Sequence, residues 1–289
     1  MSDQHVVTVV SGDIEVELLP GMGSRLHRLR VDGHDLLRTP ADISEHIRDP
    51  FFWGGYVMAP WCGRLAPGPI TVGNRIVDLR PNFPDGSAIH GQVYAAPWRQ
   101  VGDTSFSIDA GGSGGWPWRY RVEMTATVGA AALSLVLRLT NLDDQPMPGG
   151  IGLHPWFPLP VEVAIHADTV YGSNSDTSPA SQRVRGDLDL RHRQRMAEGV
   201  DATWPDPQDP PLELFWPEQH LRAAVRAPFP TLHVVAAYAA ERGAIATEPQ
   251  THAPQGLRRL LNHEPGALAL ISVGEAIELP ITFEFTPLA

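Results

Sequence analysis

The sequence predicts an all-β protein, built as a large antiparallel sandwich or barrel with few short helices. Short apolar runs alternate with polar residues at a period of two, which is typical of half-buried antiparallel strands. The 27 glycines and 28 prolines are spread between these runs, so they mark turns. No segment keeps a helical period for several turns. We therefore expect a single domain that spans residues 1–289.

Strands are predicted where apolar side chains recur at every second position, because one face of the strand is then apolar. The clearest sets are Ile14, Val16 and Leu18; Tyr120, Val122, Met124 and Ala126; Leu133, Leu135, Leu137 and Leu139; and Ile281, Phe283 and Phe285. A short helix is predicted from Ala41 to Arg48. The stretch from Asp201 to Pro211 is rich in proline and aspartate, so we predict a long surface loop there.

Composition excludes several classes of function. All 22 basic residues are arginine, so there is no lysine for a Schiff base, a pyridoxal-phosphate attachment or a phosphate loop. The net charge of −11 argues against nucleic acid or an anionic membrane surface as a partner. The single cysteine, Cys62, excludes an internal disulfide and a multi-cysteine zinc site. With no secretory signal and no long apolar run, we expect a soluble cytoplasmic protein.

Three familiar functional patterns are absent or fail on their context. Gly111, Ser113 and Gly115 satisfy G-x-S-x-G, but the residues that follow predict a flexible turn entering a strand and not the strand–turn–helix of a hydrolase elbow. No H-E-x-x-H occurs and the twelve histidines are scattered, so no local metal site is predicted. No G-x-G-x-x-G opens a helix, which argues against a nicotinamide or flavin cofactor.

Four segments combine ionisable and aromatic residues at predicted strand ends and turns: Ala59–Gly68, Asp85–Gly91, Gly150–Leu159 and Ala246–Pro254. Glu248 follows an apolar run and precedes a proline, and a carboxyl in apolar surroundings tends to have the raised pKa that suits a general base. Taken singly, each candidate also has a purely structural interpretation. His90 could cap a turn, His154 could satisfy a backbone group, and Glu248 could lie on a solvated edge.

Together the segments resemble the aldose 1-epimerase (galactose mutarotase) family, in order, from about residue 7 to the C-terminus. The matching segments are Pro60-Trp61-Cys62-Gly63-Arg64 with Gly68, Ile89-His90-Gly91 with Trp98, Asn141 with Pro148, Gly152-Leu153-His154-Pro155-Trp156-Phe157, and Thr247-Glu248-Pro249-Gln250-Thr251. The His-Pro-aromatic-Phe and Glu-Pro-Gln-Thr segments are the most specific of these.

The resemblance implies a galactose mutarotase-like β-sandwich, or supersandwich. It also implies an isomerase that interconverts the α and β anomers of a free aldohexose with no cofactor and no metal. By resemblance, Glu248 is the base that removes the C1 hydroxyl proton and protonated His154 is the acid at the ring oxygen, held on opposite sides of the anomeric centre. We expect these two groups to titrate as an opposed pair near neutral pH.

The resemblance further implies that Arg64 and His90 bind sugar oxygens, and that Trp156 stacks on the sugar unless it is a core residue. Asp201 and His233 are also expected to bind the sugar. Two departures concern the choice of sugar. Gly63 stands where the family has a sugar-binding asparagine, and Asp201 and His233 match their family positions only faintly. Cys62 is expected to be a buried packing thiol.

Three other functions remain open at this level. A sugar-phosphate mutarotase would need several arginines on the phosphate, and Arg25, Arg28, Arg64 and Arg75 are available. A non-catalytic carbohydrate-binding protein could share the fold, although it would not need an opposed acid and base. A cupin-like metalloenzyme is the third. The expected partner is a small sugar, and the protein is a monomer or a homodimer.

Overall fold

Most strands of the chain belong to two large antiparallel sheets in a computed structural model that describes residues 5–66, 68–113, 115–172 and 180–288. Parts of the predicted features lie outside the described residues. These are Pro67 in the Ala59–Gly68 segment, Gly114 in the glycine-rich turn, and residues 1–4, 173–179 and 289 of the predicted domain.

The strands are short and follow one another closely along the chain. They are β1 (Val7–Ser11), β2 (Ile14–Leu19), β3 (Arg25–Val31), β4 (His34–Asp35), β5 (Gly55–Met58), β6 (Arg64–Leu65), β7 (Gly68–Val72), β8 (Arg75–Leu79), β9 (Ala88–Ile89), β10 (Arg99–Gln100), β11 (Ser105–Ser113), β12 (Trp116–Val128), β13 (Ala132–Asn141), β14 (Met147–Gly149), β15 (Gly152–Pro158), β16 (Glu162–Ile165), β17 (Thr169–Val170), β18 (Gln182–Arg183), β19 (Asp201–Pro205), β20 (Leu212–Trp216), β21 (Leu221–Arg226), β22 (His233–Ala239), β23 (Ala244–Gln250), β24 (Ala269–Ile271) and β25 (Ala276–Pro287).

Nine strands form the first sheet, in the order β1-β2-β3-β5-β15-β23-β22-β19, with β4 beside β3. Eight strands form the second, in the order β10-β11-β12-β13-β25-β21-β20-β16. The remaining short strands pair as β14-β24, β17-β18, β6-β9 and β7-β8. The predicted all-β class and the large antiparallel sandwich are therefore confirmed.

The apolar positions of the alternating runs meet between the two sheets. Leu133, Leu135, Leu137 and Leu139 of β13 are fully buried, and so are the alternating residues of β12 and β25 on either side of it. Val16 and Leu18 of β2 belong to the same continuous cluster of buried side chains. Burial of this apolar area is the main free-energy term that favours the sandwich.

Two short helices complete the regular structure, α1 (Glu45–Arg48) and α2 (Gly256–Leu261), together with 3-10 turns at Pro20–Met22, Gly186–Leu188 and Ala240–Arg242. The helix predicted from Ala41 to Arg48 is confirmed in its second half. The sequence did not predict α2, because six residues are too few to establish a helical period. No helix in the described ranges has the length and apolar character needed to cross a membrane.

The prediction of a long surface loop from Asp201 to Pro211 is wrong for its first five residues. Asp201–Pro205 is β19, with Ala202, Thr203 and Trp204 fully buried. The strand lies at the edge of the nine-stranded sheet, where a proline at the strand end is tolerated because one side needs no ladder hydrogen bond. Only residues 206–211 are irregular.

Candidate active site

A cavity of about 200 Å³ lies against the nine-stranded sheet, over the strands β5, β15, β23, β22 and β19. Five of its lining side chains form a row across these strands. Tyr56 pairs with His154, and Glu248 pairs with Val235, which in turn pairs with Thr203. Because side chains on one face of a sheet line up across strands, the register alone brings residues far apart in the sequence to one surface.

His154 and Glu248 are the centre of this row. They lie between the registered pairs Gly152–Gln250 and Trp156–Ala246, and His154 Nε2 is 3.2 Å from Glu248 Oε1. Both residues are almost fully buried, with 4% and 3% of their surface exposed. The two groups therefore lie side by side on one wall of the cavity and do not face each other across it.

Burial controls the protonation of this pair. It lowers the pKa of His154 to about 3 and raises the pKa of Glu248 well above its usual value, an effect that the nearby Asp201 carboxylate reinforces. Both shifts favour the neutral form. Burial therefore favours a neutral Glu248 carboxyl beside a neutral His154 imidazole, whereas the resemblance implied a protonated His154.

The ring of Tyr56 packs against the face of the His154 imidazole. The two rings are stacked with centroids 4.6 Å apart and planes at 22°. The guanidinium of Arg25 lies 5.0 Å from the Tyr56 ring centroid, and Arg25 is buried among the carbonyl groups of Trp53, Pro50 and Tyr94, to which it donates hydrogen bonds. Sequence analysis did not single out Tyr56, because β5 is buried throughout and shows no alternation.

His90 reaches the same cavity from the turn after β9. Its ring lies edge-on to that of His154, with centroids 4.8 Å apart, and burial lowers its pKa well below the usual value. Its Nδ1 accepts a hydrogen bond from the Gly63 amide at 3.3 Å. The next residue must be glycine, since a Cβ on Gly91, which has φ +76°, would collide with the carbonyl group of Ala59.

Arg64 is held in place at the cavity by two carboxylates. Its Nε donates to Asp85 Oδ2 at 2.7 Å, and its Nη1 is 3.7 Å from Asp201 Oδ2. Asp201, a faint match in the sequence, lines the cavity. The hydrogen bond between Arg64 and Asp85 was not predicted.

Aromatic side chains form another part of the wall. Phe51 packs against Phe83 and Tyr94, with centroid distances of 5.4 Å and 4.8 Å. Phe52 packs against Trp156 at 5.3 Å. Trp156 both lines the cavity and is anchored, because its indole donates to Phe51 O at 2.6 Å. Phe51, Phe52 and Phe83 lie outside the alternating runs, and the only signal in the sequence is the adjacent pair of phenylalanines.

Two residues that the sequence analysis named, His233 and Cys62, do not line the cavity. His233 of β22 is buried, with Nδ1 2.9 Å from Thr231 O and its ring stacked on Tyr171, so its contact with a sugar stays a prediction. Cys62 is fully buried, and its amide donates to His252 Nε2 at 2.9 Å. Cys62 thus has the packing position that the sequence analysis expected.

The four arginines considered for a phosphate site do not converge. Arg25 is buried beneath Tyr56, Arg28 pairs with Glu17, and Arg75 pairs with Asp143 and Asp144. Of these four only Arg64 lines the cavity. Within the described part of the chain, histidine, cysteine and carboxylate side chains form no group of three or more that could hold a metal ion.

Comparison with known sequences identifies a family for most of the chain. Residues 6–257 match the family model described as aldose 1-epimerase. The chain is also similar to the uncharacterized protein YphB of Escherichia coli K12, with 28% identity over 115 residues. That match covers 39% of this chain and 39% of the relative's length.

Solved structures with the same fold cover nearly the whole chain. A galactose mutarotase-like protein from Clostridium acetobutylicum superimposes with a TM-score of 0.83 at 15% identity, covering 97% of this chain and 94% of that one. A GalM/aldose epimerase homologue from C. elegans gives 0.82 at 17% identity, covering 99% of both chains. A galactose 1-epimerase from Lactobacillus acidophilus gives 0.78 at 16% identity, covering 100% of this chain and 97% of that one. At such identities the similarity establishes the fold alone.

Proposed function

The chain belongs to the aldose 1-epimerase family, and from this premise we propose that it is a mutarotase that interconverts the α and β anomers of a free, neutral aldohexose. The observation that carries the proposal is the contact of His154 and Glu248. Two buried ionisable groups, an imidazole and a carboxyl, lie 3.2 Å apart at the surface of a small cavity. Anomer exchange needs one group that takes a proton and one that gives it.

In the proposed reaction Glu248 takes the proton of the C1 hydroxyl while His154 gives a proton to the ring oxygen. The C1–O5 bond breaks, the C1–O1 double bond forms, and the open-chain aldehyde rotates about C1–C2. Closure on the other face reverses both proton transfers, so no group is consumed. Because O1 and O5 are bonded to the same carbon, two neighbouring side chains on one wall are able to reach both.

The roles require the proton of the pair to lie on His154 when the sugar is bound. Burial by itself favours the proton on Glu248. Sugar hydroxyl groups that donate to the Glu248 carboxylate would stabilise its charged form, and the proton would then move across the 3.2 Å contact to Nε2. The tautomer with a carboxylate and an imidazolium has the same total charge, so this transfer brings no new net charge into the cavity.

Arg64, His90 and Asp201 supply the proposed polar contacts to the sugar, and Trp156 supplies an aromatic face for its C–H groups. Arg64 already has Asp85 and Asp201 as partners, so its charge is largely compensated. A neutral sugar suits this environment better than a sugar phosphate does, because a phosphate needs convergent, available cations.

The test is polarimetry of freshly dissolved α-D-glucose and α-D-galactose with the wild-type protein, Glu248→Gln and the distant surface variant Glu278→Gln. We expect acceleration by the wild type and by Glu278→Gln, and a loss of about 10²–10⁴-fold in Glu248→Gln. Calorimetry should show that Glu248→Gln still binds the sugar. Binding without acceleration by the wild type would contradict the mutarotase and favour a carbohydrate-binding protein.

A further inference from the structure

One corner of the cavity, beside Gly63, is open. Gly63 lines the cavity, and a Cβ built on it would meet no heavy atom within 4 Å. Its backbone is left-handed, with φ +63°. Other glycines with equally free surroundings, such as Gly73 at φ +60°, lie in turns that do not line the cavity. Gly63 differs from these glycines in lining the cavity, so the free space beside it adjoins the cavity.

Hydrogen bonds hold the backbone around this corner. The Gly63 carbonyl accepts from the His90 amide at 3.1 Å, and the Gly63 amide donates to the His90 ring at 3.3 Å. The preceding amide, of Cys62, donates to His252 Nε2 at 2.9 Å. The other ring nitrogen of His252 lies 2.7 Å from the Ala253 carbonyl, which requires an N–H there and leaves Nε2 as an acceptor.

Several apolar side chains lie near the residues that adjoin Gly63. Ile89, which pairs with Arg64 across two short strands, lines the cavity. Phe51 lies 6.3 Å from the His90 ring and Phe83 lies 5.4 Å from Phe51. Arg64, a cation in the lining of the cavity, is hydrogen-bonded to Asp85. Such surroundings favour an uncharged group with an apolar part, because burying a charge without an available partner costs free energy.

The corner is also close to the reacting groups. Gly63 is hydrogen-bonded to His90, and the centroid of the His90 ring lies 4.8 Å from that of His154. A group in the corner would therefore be attached near the C1–O5 unit of the sugar, on C2 or beyond C5.

We propose that the space beside Gly63 is a subsite for a neutral substituent larger than a hydroxyl group, and that Gly63 determines specificity by leaving it open. The inference rests on the proposed mutarotase function and deepens it. The substrate class is then an aldohexose with, for example, an acetamido group at C2 or an uncharged group on O6.

The test compares N-acetyl-D-glucosamine and 6-O-methyl-D-glucose with D-glucose, for the wild type and for Gly63→Asn. Asparagine suits this position because, after glycine, it is among the residues that best tolerate a left-handed backbone. Its side chain would enter the corner. The matched control is Gly73→Asn, at an equally free, left-handed glycine outside the cavity.

We expect the wild type to accelerate at least one substituted sugar with a kcat/KM within about 10-fold of that for glucose. In Gly63→Asn the ratio of kcat/KM for that sugar over glucose should fall by roughly 10- to 100-fold, which is typical of a steric block in a pocket. Gly73→Asn should leave the ratio unchanged. The sugar that responds identifies the carbon whose substituent enters the corner.

Two results would overturn the subsite. The wild type could accelerate glucose and neither substituted sugar, or Gly63→Asn could lower kcat/KM equally for all sugars, in which case Gly63 serves only the turn. If Gly63→Asn does not fold, Gly63→Asp gives the same comparison, because aspartate is another short side chain that tolerates a left-handed backbone. A wild-type protein that accelerates no sugar at all contradicts the proposed function instead.

Discussion

The imidazole of His154 and the carboxyl of Glu248 touch at 3.2 Å on neighbouring strands of the nine-stranded sheet. The contact is built by strand register, and its chemistry is set by burial. Burial lowers the pKa of His154 to about 3 and raises that of Glu248, so both shifts favour a pair that holds one proton, and we expect the two groups to titrate as one unit. The following predictions concern this unit, the side chains that hold it, and the stability of the fold around it.

The pH profile of kcat/KM should be broad. The pair gains a second proton only when the pH falls towards the lowered pKa of His154, and it loses its only proton when the pH rises through the raised pKa of Glu248. The one-proton form should therefore persist both below and above the range of about pH 4.5–6.5 set by ordinary glutamate and histidine. Initial rates from pH 3.5 to 10 would show this, and a bell-shaped profile confined to about pH 4.5–6.5 would contradict it.

The stack of Tyr56 on His154 should matter for kcat more than for KM. Tyr56→Leu removes the ring that lies 4.6 Å from the imidazole, so His154 would lose its fixed orientation, and we expect kcat to fall by about 10-fold or more. Tyr56→Phe keeps the ring and serves as the matched control, with kcat close to the wild-type value. Equal kcat values for the two variants would mean that the stack does not position His154.

Asp85 should act through Arg64, since it accepts the Arg64 Nε hydrogen bond at 2.7 Å without lining the cavity itself. In Asp85→Asn we expect KM to rise roughly 3- to 10-fold, the size of one such hydrogen bond, with kcat little changed. The control is Asp109→Asn, which weakens a comparable pair with Arg121 far from the cavity. A change in kcat alone would contradict this role for Asp85.

The fold should lose stability in mild acid because of its buried histidines. Burial lowers the pKa of His233 and of His252 to about 4 in each case. The unfolded chain binds protons at these positions from about pH 6.5 downwards, whereas the folded chain does not bind them until about pH 4. As the pH falls through that window, each histidine should therefore lower the free energy of unfolding by up to about 1.4 kcal/mol per pH unit.

Urea unfolding at pH 7.5, 6 and 5 measures this slope. His233→Gln should reduce it, because glutamine has no proton to gain, while the exposed variant His34→Gln should leave it unchanged. A His233→Gln slope equal to that of the wild type would show that the buried imidazole does not resist protonation.

The sequence predicted those parts of the fold in which one face of a strand is buried and the other is wet. Leu133 to Leu139 alternates in this way and is a strand. The short β19 is different, because Ala202, Thr203 and Trp204 are all buried and the surrounding prolines and aspartates resemble a loop. Its strand character comes from pairing with β22 at a sheet edge, which no local pattern reveals.

For the candidate site, sequence motifs indicated residue types and not their electrostatic state. The resemblance pointed to His154, Glu248, His90 and Arg64, and the structure brings these four to one cavity. The side-by-side position of the acid–base pair depends on the register of β15 and β23, and the direction of the His154 pKa shift depends on burial. Both are properties of the assembled sheet, so the sequence predicted neither.

The measurement that tests the central claim most directly is a double-mutant comparison of mutarotation rates for Glu248→Gln, His154→Gln and the double variant, on α-D-glucose and α-D-galactose. If the two side chains act as one proton-holding unit, each single variant should lose about as much kcat as the double variant does, because removing either partner already disables the pair. If the losses instead multiply, so that the double variant is slower by the product of the two single effects, His154 and Glu248 act independently and the account is contradicted.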